Sequence, residues 1–486
     1  MNRTLAASAI VMAGLGLGTA GCMLGPDYAR PVTPAYGPET YFNTPAGWVD
    51  PNNPEYIGRW WESFDDPVID GLVTQALLSN FDLKAAVARV AEAEAILAQV
   101  RGARLPEVSY ALDRSRAKNT FFFLDEPFSS LSTVYSQGFS VSYIADIFGR
   151  LRRNEQAAFD ELLASANSRQ ALVHSVIAQV VRTRVAVATQ QELLEIAIAN
   201  IRSRTRTLEI VERRYNQGLV PALDVYLARE NLAAVKAAEP VFRSNLIQAR
   251  NSLNVLLGQR PGFLADVPET LPELPPLDPV PLGVPAALLD RRPDVRAAEN
   301  RLAAATDRIG ASIAALFPDL TLSATWGTTS DSFRGLGFAE AEFYSAVIAL
   351  AAPIFQGGRL RAAVDVAQAR TEQAAAEYAQ VVLNAIREVE DALVAQQTLA
   401  ERVDTLRIQL AEASRAEALA LQRYQRGLEQ ILIVLDTERR RIAAESELAV
   451  AKGNLYDARI NLYLALGGDW NVETIVEEPE YEDEKI

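Results

Sequence analysis

The chain is written twice. The stretch beginning at Asn80, NFDLKAAVARVAEAEAILAQVRGARLPEVSYAL, matches the one beginning at Arg292, RPDVRAAENRLAAATDRIGASIAALFPDLTLSA. Asp82 aligns with Asp294, Arg89 with Arg301 and Pro106 with Pro318, each pair 212 residues apart. Further on, RYNQGL from Arg214 aligns with RYQRGL from Arg423, and the glycine of LLG at Gly258 with that of ALG at Gly467, both 209 apart. Many matches in order, at a nearly fixed offset, mean a duplicated unit of about 210 residues. Any fold for this chain must hold that unit twice.

Each copy reads helix, strand, strand, long helix, turn, long helix. In copy one, residues 66–260, Val108, Tyr110 and Leu112 alternate with Ser109 and Ala111, and Phe139, Val141 and Tyr143 with Ser140 and Ser142. In copy two, residues 286–468, Leu320, Leu322, Ala324 and Trp326 alternate with Thr321, Ser323 and Thr325. A period of two with one apolar and one small polar face predicts strands at about 106–116, 134–146, 319–329 and 342–353. Helical hairpins are predicted over 150–258 and 359–467. Neither Pro nor Gly interrupts Leu151–Asn216 or Leu360–Arg426. About 66 helical residues would span roughly 100 Å, far beyond an ordinary globular helix, and so suggest coiled-coil packing. Leu399, Val403, Leu406, Leu410, Ala413, Ala420 and Tyr424 form an a/d seam that only Glu417 spoils.

Pro261–Pro285 holds eight prolines and reads as an extended connector. An extended lead covers 22–65, and an acidic tail 469–486. Residues 1–21 read as a secretory signal: Arg3, an apolar run from Leu5 to Leu17, then Thr19-Ala20-Gly21 before Cys22. Thr19 stands where lipoprotein signals usually carry Leu. The G-x-G-x-x-G pattern at Gly16–Gly21 lies inside this signal, which excludes a dinucleotide loop. No later window reads as a transmembrane helix. A net charge of −15 argues against nucleic acid, and a single cysteine excludes internal disulfides. One histidine, His174, removes most hydrolytic and zinc chemistry and reads as a packed or solvated side chain. No cofactor, metal site or catalytic residue is expected, and the chain reads as a non-enzyme.

Four strands of this pattern fit a membrane barrel, with one face to lipid and one to a lumen. Open sheet edges cannot stand in hydrocarbon, so other copies would have to complete the barrel. Patterning alone equally fits two soluble hairpins on a coiled-coil stalk. Export, duplication and helix length favour the membrane.

Five motifs then carry a resemblance: C-x-x-GPDYxRP at Cys22–Pro31, WWxxFxDP at Trp60–Pro67, RRPDVRxAE at Arg291–Glu299, PIFxGGRL at Pro353–Leu360, and the paired RYxxGL turns. Together they resemble the TolC-like outer membrane efflux proteins and, among them, the OprM/NodT-type lipoproteins of resistance–nodulation–division pumps. The resemblance covers essentially the mature chain. It implies a mainly α fold with membrane β, in which a homotrimer builds a twelve-stranded outer membrane barrel continued by a periplasmic helical barrel. It implies passive export together with a periplasmic adaptor and an inner-membrane pump. It also implies a lipid anchor in the outer membrane, N-palmitoyl and S-diacylglycerol on Cys22. A type I secretion channel and a non-conducting structural lipoprotein are the alternatives.

Gly218 and Gly427 fit the left-handed position that ends a helix. The resemblance makes the turns a periplasmic tip, with Gly218, Leu219, Gly427 and Leu428 docking the adaptor. It makes Arg214, Tyr215, Arg423 and Tyr424 gate latches, and Asp436 and Asp224 aperture carboxylates. Ile433 stands where Asp224 maps in the second copy. Facing carboxylates from three copies would repel and raise their own pKa values.

Overall fold

The computed structural model describes residues 23–32, 41–44, 59–123, 126–262, 288–337 and 342–467. Cys22 and its signal, residues 263–285 of the connector and the acidic tail lie outside the described residues. The chain divides into two compact units. One takes residues 1–31, 89–166 and 297–378; the other takes 32–88, 167–296 and 379–486.

The first unit is built on a sheet of four antiparallel strands in the order β1-β2-β3-β4. These are β1 (Glu107–Phe123), β2 (Glu126–Ala145), β3 (Asp319–Ser330) and β4 (Glu342–Ala351). The first hairpin is longer than patterning predicts. Residues 117–133 gather their phenylalanines at 121–123 and 128 in no period of two, among Ser, Thr and charged residues, and read as a loop. They nevertheless pair in unbroken register from Ala117↔Ser132 to Phe123↔Glu126, because each strand satisfies the other's backbone. Among the described residues, β1 and β4 each keep one edge without a partner.

Residues 23–31 are tied to this unit by backbone fit and charge. Leu24 N donates to Phe148 O (3.3 Å), and Arg153 Nε donates to Leu24 O (3.1 Å). Gly25 has φ +94°, and a Cβ there would stand 2.4 Å from Gly310 Cα, so only glycine fits. Arg153, itself buried, pairs with Asp27 (2.8 Å) and Asp307 (2.7 Å). Burial, then neighbouring Asp307, pushes the Asp160 carboxyl up to about 6. Arg30 grips both oxygens of Glu299 (2.7 and 2.8 Å), which also accepts from Tyr28 Oη (3.1 Å). The GPDYxR motif and the last residue of RRPDVRxAE are therefore one fastening.

The second unit is helical. α1 (Pro67–Ser79) and the start of α2 (Phe81–Gly102) pack with α3 (Arg150–Asn216), α4 (Ala222–Leu256), α6 (Arg359–Gln425) and α7 (Ile431–Ala465); α5 (Pro293–Ala314) begins here. α3 and α6 have 67 residues each, as their freedom from Pro and Gly allows. α4 continues through Pro240, at the cost of one helical hydrogen bond; the second copy has Ala449 there. One 18-residue window of α3 reaches a mean hydropathy of 1.3, enough by length and composition to cross a membrane. Its apolarity is explained by packing: 61% of it is buried, and Val176, Ile177, Val180, Val181 and Val185 are core.

The WWxxFxDP motif is core and cap. Trp60 stacks on Tyr463 (5.6 Å between centroids) and Phe64 on Tyr456 (5.5 Å). Asp66 caps α1 by accepting from Val68 N (3.0 Å), with Pro67 in the first turn. The Asp66 carboxylate also lies 3.4 Å from Arg184, and both side chains are buried. We predict that Asp66→Ala, which removes a cap and a buried carboxylate paired with a buried guanidinium, costs about 3 to 5 kcal/mol. A fall in the thermal unfolding midpoint checks this; an unchanged midpoint contradicts it.

Candidate functional site

Two regions could carry function. The first is the pair of helix turns. At the end of α3, Gly218 (φ 71°) donates from its N to Tyr215 O (2.8 Å), and Leu219 N donates to Arg214 O (2.9 Å). At the end of α6, Gly427 (φ 76°) donates to Tyr424 O (2.9 Å), and Leu428 N to Arg423 O (2.9 Å). This is the same Schellman closure twice, and its left-handed residue requires glycine. Beneath the turns lies one small core of Val211, Val225, Ala228, Ala420, Tyr424, Ile431, Val434 and Leu435. Leu219 and Leu428 remain exposed, as do Leu223, Tyr226, Leu432 and Ile433.

Of the four latch candidates, two meet. The Arg214 guanidinium lies 4.6 Å from the centre of the Tyr424 ring and donates to the Tyr424 carbonyl. Tyr424 is fully buried, and its hydroxyl has no hydrogen-bond partner among the described residues. Tyr215 is exposed and outside this contact. Arg423 pairs instead with Glu429 (3.4 Å).

The two aperture carboxylates differ. Asp224 is half-buried, and desolvation pushes its carboxyl up, against the pull of Arg214. For Asp436, repulsion between copies predicts a rise. Within the chain its shift has the opposite sign, because Arg439 (2.6 Å) and Arg440 (2.7 Å), one turn on along the same helix face, hold it below the usual range. One carboxylate with two guanidiniums is a net positive cluster.

Below the turns lies a polar layer that pattern reading missed. Buried Glu438 accepts from Thr207 Oγ1 (2.6 Å), and Arg204 donates to the Asn231 side chain. Desolvation raises the Glu438 pKa and lowers that of Arg204. Arg441 pairs with Glu417 and with Glu445 (2.6 Å) and donates to Asn200 (2.8 Å). The break in the a/d seam at Glu417 was the one visible signal of this layer. His174 is buried within α3.

The second region is the sheet face. Strand register places Tyr110, Phe139, Trp326 and Tyr344 in one row across all four strands, every one exposed. The Tyr110 and Phe139 rings lie 5.1 Å apart. Towards the helix ends of the strands the same face carries Val108, Val141, Ala324, Ala346, Tyr143, Leu322 and Ile348. The opposite face carries the row Ser109, Ser140, Thr325, Ser345. From Leu350 to Tyr344 the apolar face runs about 20 Å along β4.

The two tip carboxylates should titrate on opposite sides of the ordinary value near 3.9. Asp224, raised in the fold, contributes stability below its unfolded pKa and loses it as pH rises through the folded one. Asp436, depressed, contributes above its unfolded pKa and loses it as pH falls through the folded one. A carboxyl-resolved NMR titration checks the order; Asp436 titrating above Asp224 contradicts it.

Comparison with known proteins follows the same lines. The model of the family described as outer membrane efflux protein matches residues 72–259 and 284–468, one segment for each copy. The toluene efflux pump outer membrane protein TtgF of Pseudomonas putida is 32% identical over 462 residues, 94% of this chain and 96% of the relative. The pyoverdine export outer membrane protein OpmQ of the same species is 34% identical over 440 residues, 88% of this chain and 93% of the relative. Among solved structures, the outer-membrane channel OprN superposes with a TM-score of 0.85 at 32% identity, covering 92% of this chain and 100% of that one. A family model that spans both repeats, and a shared fold over nearly the whole length, place this chain in the outer membrane efflux protein family.

Proposed function

We propose that the chain is the outer membrane channel of a tripartite efflux system, a passive conduit for small molecules. The observation that carries this reading is the open four-stranded sheet with an exposed apolar face and a full aromatic row, attached to two long helical hairpins. Aromatic rows at this position are the girdle of a barrel at the lipid boundary. Four strands cannot enclose a lumen, so the functional form is a homotrimer with twelve strands. Relatives named for cargoes as different as toluene and pyoverdine fit a channel that leaves selection to the inner-membrane pump.

A periplasmic adaptor of the pump docks at the two turns. Gly218 and Gly427 set the turn geometry there, and Leu219 and Leu428 present uncovered apolar surface. Arg214 on Tyr424 is the latch that joins one copy's hairpin to the other's. Asp224 and the cluster of Asp436, Arg439 and Arg440 border the periplasmic aperture. Cys22 carries the lipid. In support, its neighbour Met23 lies against Gly149, just past the end of β2, where a Cβ would meet Met23 Cα at 2.9 Å.

Two measurements test this reading. In planar bilayers the wild type should conduct. Asp436→Ala, which strips the carboxylate and leaves two guanidiniums per copy, should shift the reversal potential towards anions. An unchanged potential contradicts the aperture assignment, and an absence of conductance contradicts the channel. Mass spectrometry of the mature N-terminus should find acylated Cys22; an unmodified residue or an uncleaved signal contradicts the anchor.

A further inference from the structure

Beyond the aromatic row, β1 becomes basic on one face only. Arg114, Arg116 and Lys118 follow Tyr110 and Leu112 at alternate positions and so share their face. The intervening residues Asp113, Ser115, Ala117 and Asn119 include no cation. The ladder therefore points to the lipid side of the sheet and away from its Ser- and Thr-lined side. Arg114 stands four positions on from Tyr110, about 13 Å along a strand, and the ladder extends about 13 Å more. It lies towards the β1–β2 turn, the end of the sheet opposite to its helices.

Among the described residues no carboxylate pairs with these three groups. Their partners across the register on β2 are Tyr135, Thr133 and Leu131, and Ser330 follows Tyr135 on β3. All three cations are exposed, and among the described residues none makes an ion pair. Arg114 lies 5.6 Å from the centre of the Tyr135 ring, which holds its guanidinium against the sheet. Elsewhere in the same unit, Arg101 and Arg104 share Glu155, and Arg150 meets Asp319. A carboxylate-free row of cations is out of character for a chain of net charge −15.

A cation on the lipid face is least costly just outside the hydrocarbon, where headgroup phosphates supply the opposite charge. We propose that Arg114, Arg116 and Lys118 bind the phosphates of outer-leaflet glycolipid, the bisphosphorylated lipid A headgroup, once per copy. The two guanidiniums suit bidentate phosphate contacts, and alternate positions about 6.6 Å apart let neighbouring side chains reach separate phosphate oxygens. β1 is an edge strand, so the site stands beside the junction with the next copy. This inference rests on the outer membrane reading above.

The test is native mass spectrometry of the full assembled chain with bisphosphorylated and fully dephosphorylated lipid A. The wild type should prefer the phosphorylated form by at least about tenfold. The triple variant Arg114→Gln, Arg116→Gln, Lys118→Gln should lose that preference while keeping its oligomer and conductance. Arg116→Gln alone should weaken binding about fivefold, and it decides the matter if the triple variant misassembles. A wild type without preference, or variants that keep the preference, overturn the proposal. Variants that dissociate while each copy still prefers phosphate also overturn it, and assign the ladder to contacts between copies. A wild type that forms no channel overturns the outer membrane reading; a conducting wild type beside unaltered variants overturns this proposal alone.

Discussion

The unsatisfied edges of β1 and β4 are the constraint on which the rest of the structure depends. In water, an open edge costs little, because solvent bonds its backbone groups. In hydrocarbon each unpaired group is expensive, so a sheet with an apolar face cannot remain open there. The face of Val108, Tyr110, Phe139, Trp326 and Tyr344 asks for lipid, and the edges then ask for another copy. On the channel reading proposed above, association is part of the fold, and each helical hairpin likewise presents apolar positions that its own chain leaves exposed.

The second theme is how an acidic chain pairs charges across its sequence, each pair with at least one side chain largely buried. Arg153 with Asp27 and Asp307, Arg30 with Glu299, and Arg184 with Asp66 each join segments far apart in sequence. Such pairs contribute little net stability against apolar replacements, but breaking one leaves a costly orphan. The pairs to Asp27 and Arg30 fix where the extended lead runs, and the pair to Asp66 fixes the start of α1. The duplication has diverged along the same lines: Asp224 is desolvated beside Arg214, while Ile433 takes its place in copy two and Asp436 sits among its own arginines.

Much of this was legible in the sequence. A period of two located β3 and the helix-side parts of β1 and β2, with β4 read as the partner of β3, and long runs without Pro or Gly located both hairpins, since these are local signals. The turns were equally plain, because a left-handed backbone position selects glycine at 218 and 427. Three things were not legible. The hairpin from 117 to 133 is held by cross-strand pairing, and its phenylalanines run together at 121–123 without the alternation that marks a strand. The pairing of Arg214 with Tyr424 joins two repeats and has no sequence spacing. The depressed Asp436 follows from Arg439 and Arg440, which stand at helical spacing, but spacing alone does not set their pull against repulsion between copies.

The central claim is that β1 of one copy joins β4 of the next. Cysteine pairs scanned along the two strands, at polar-face positions such as Ser109 and Ser345 in a Cys22→Ala background, test it most directly. Oxidation in the outer membrane should link chains in one register only, and the covalent ladder should end at three. Links within a single chain, or none in any register, would contradict it.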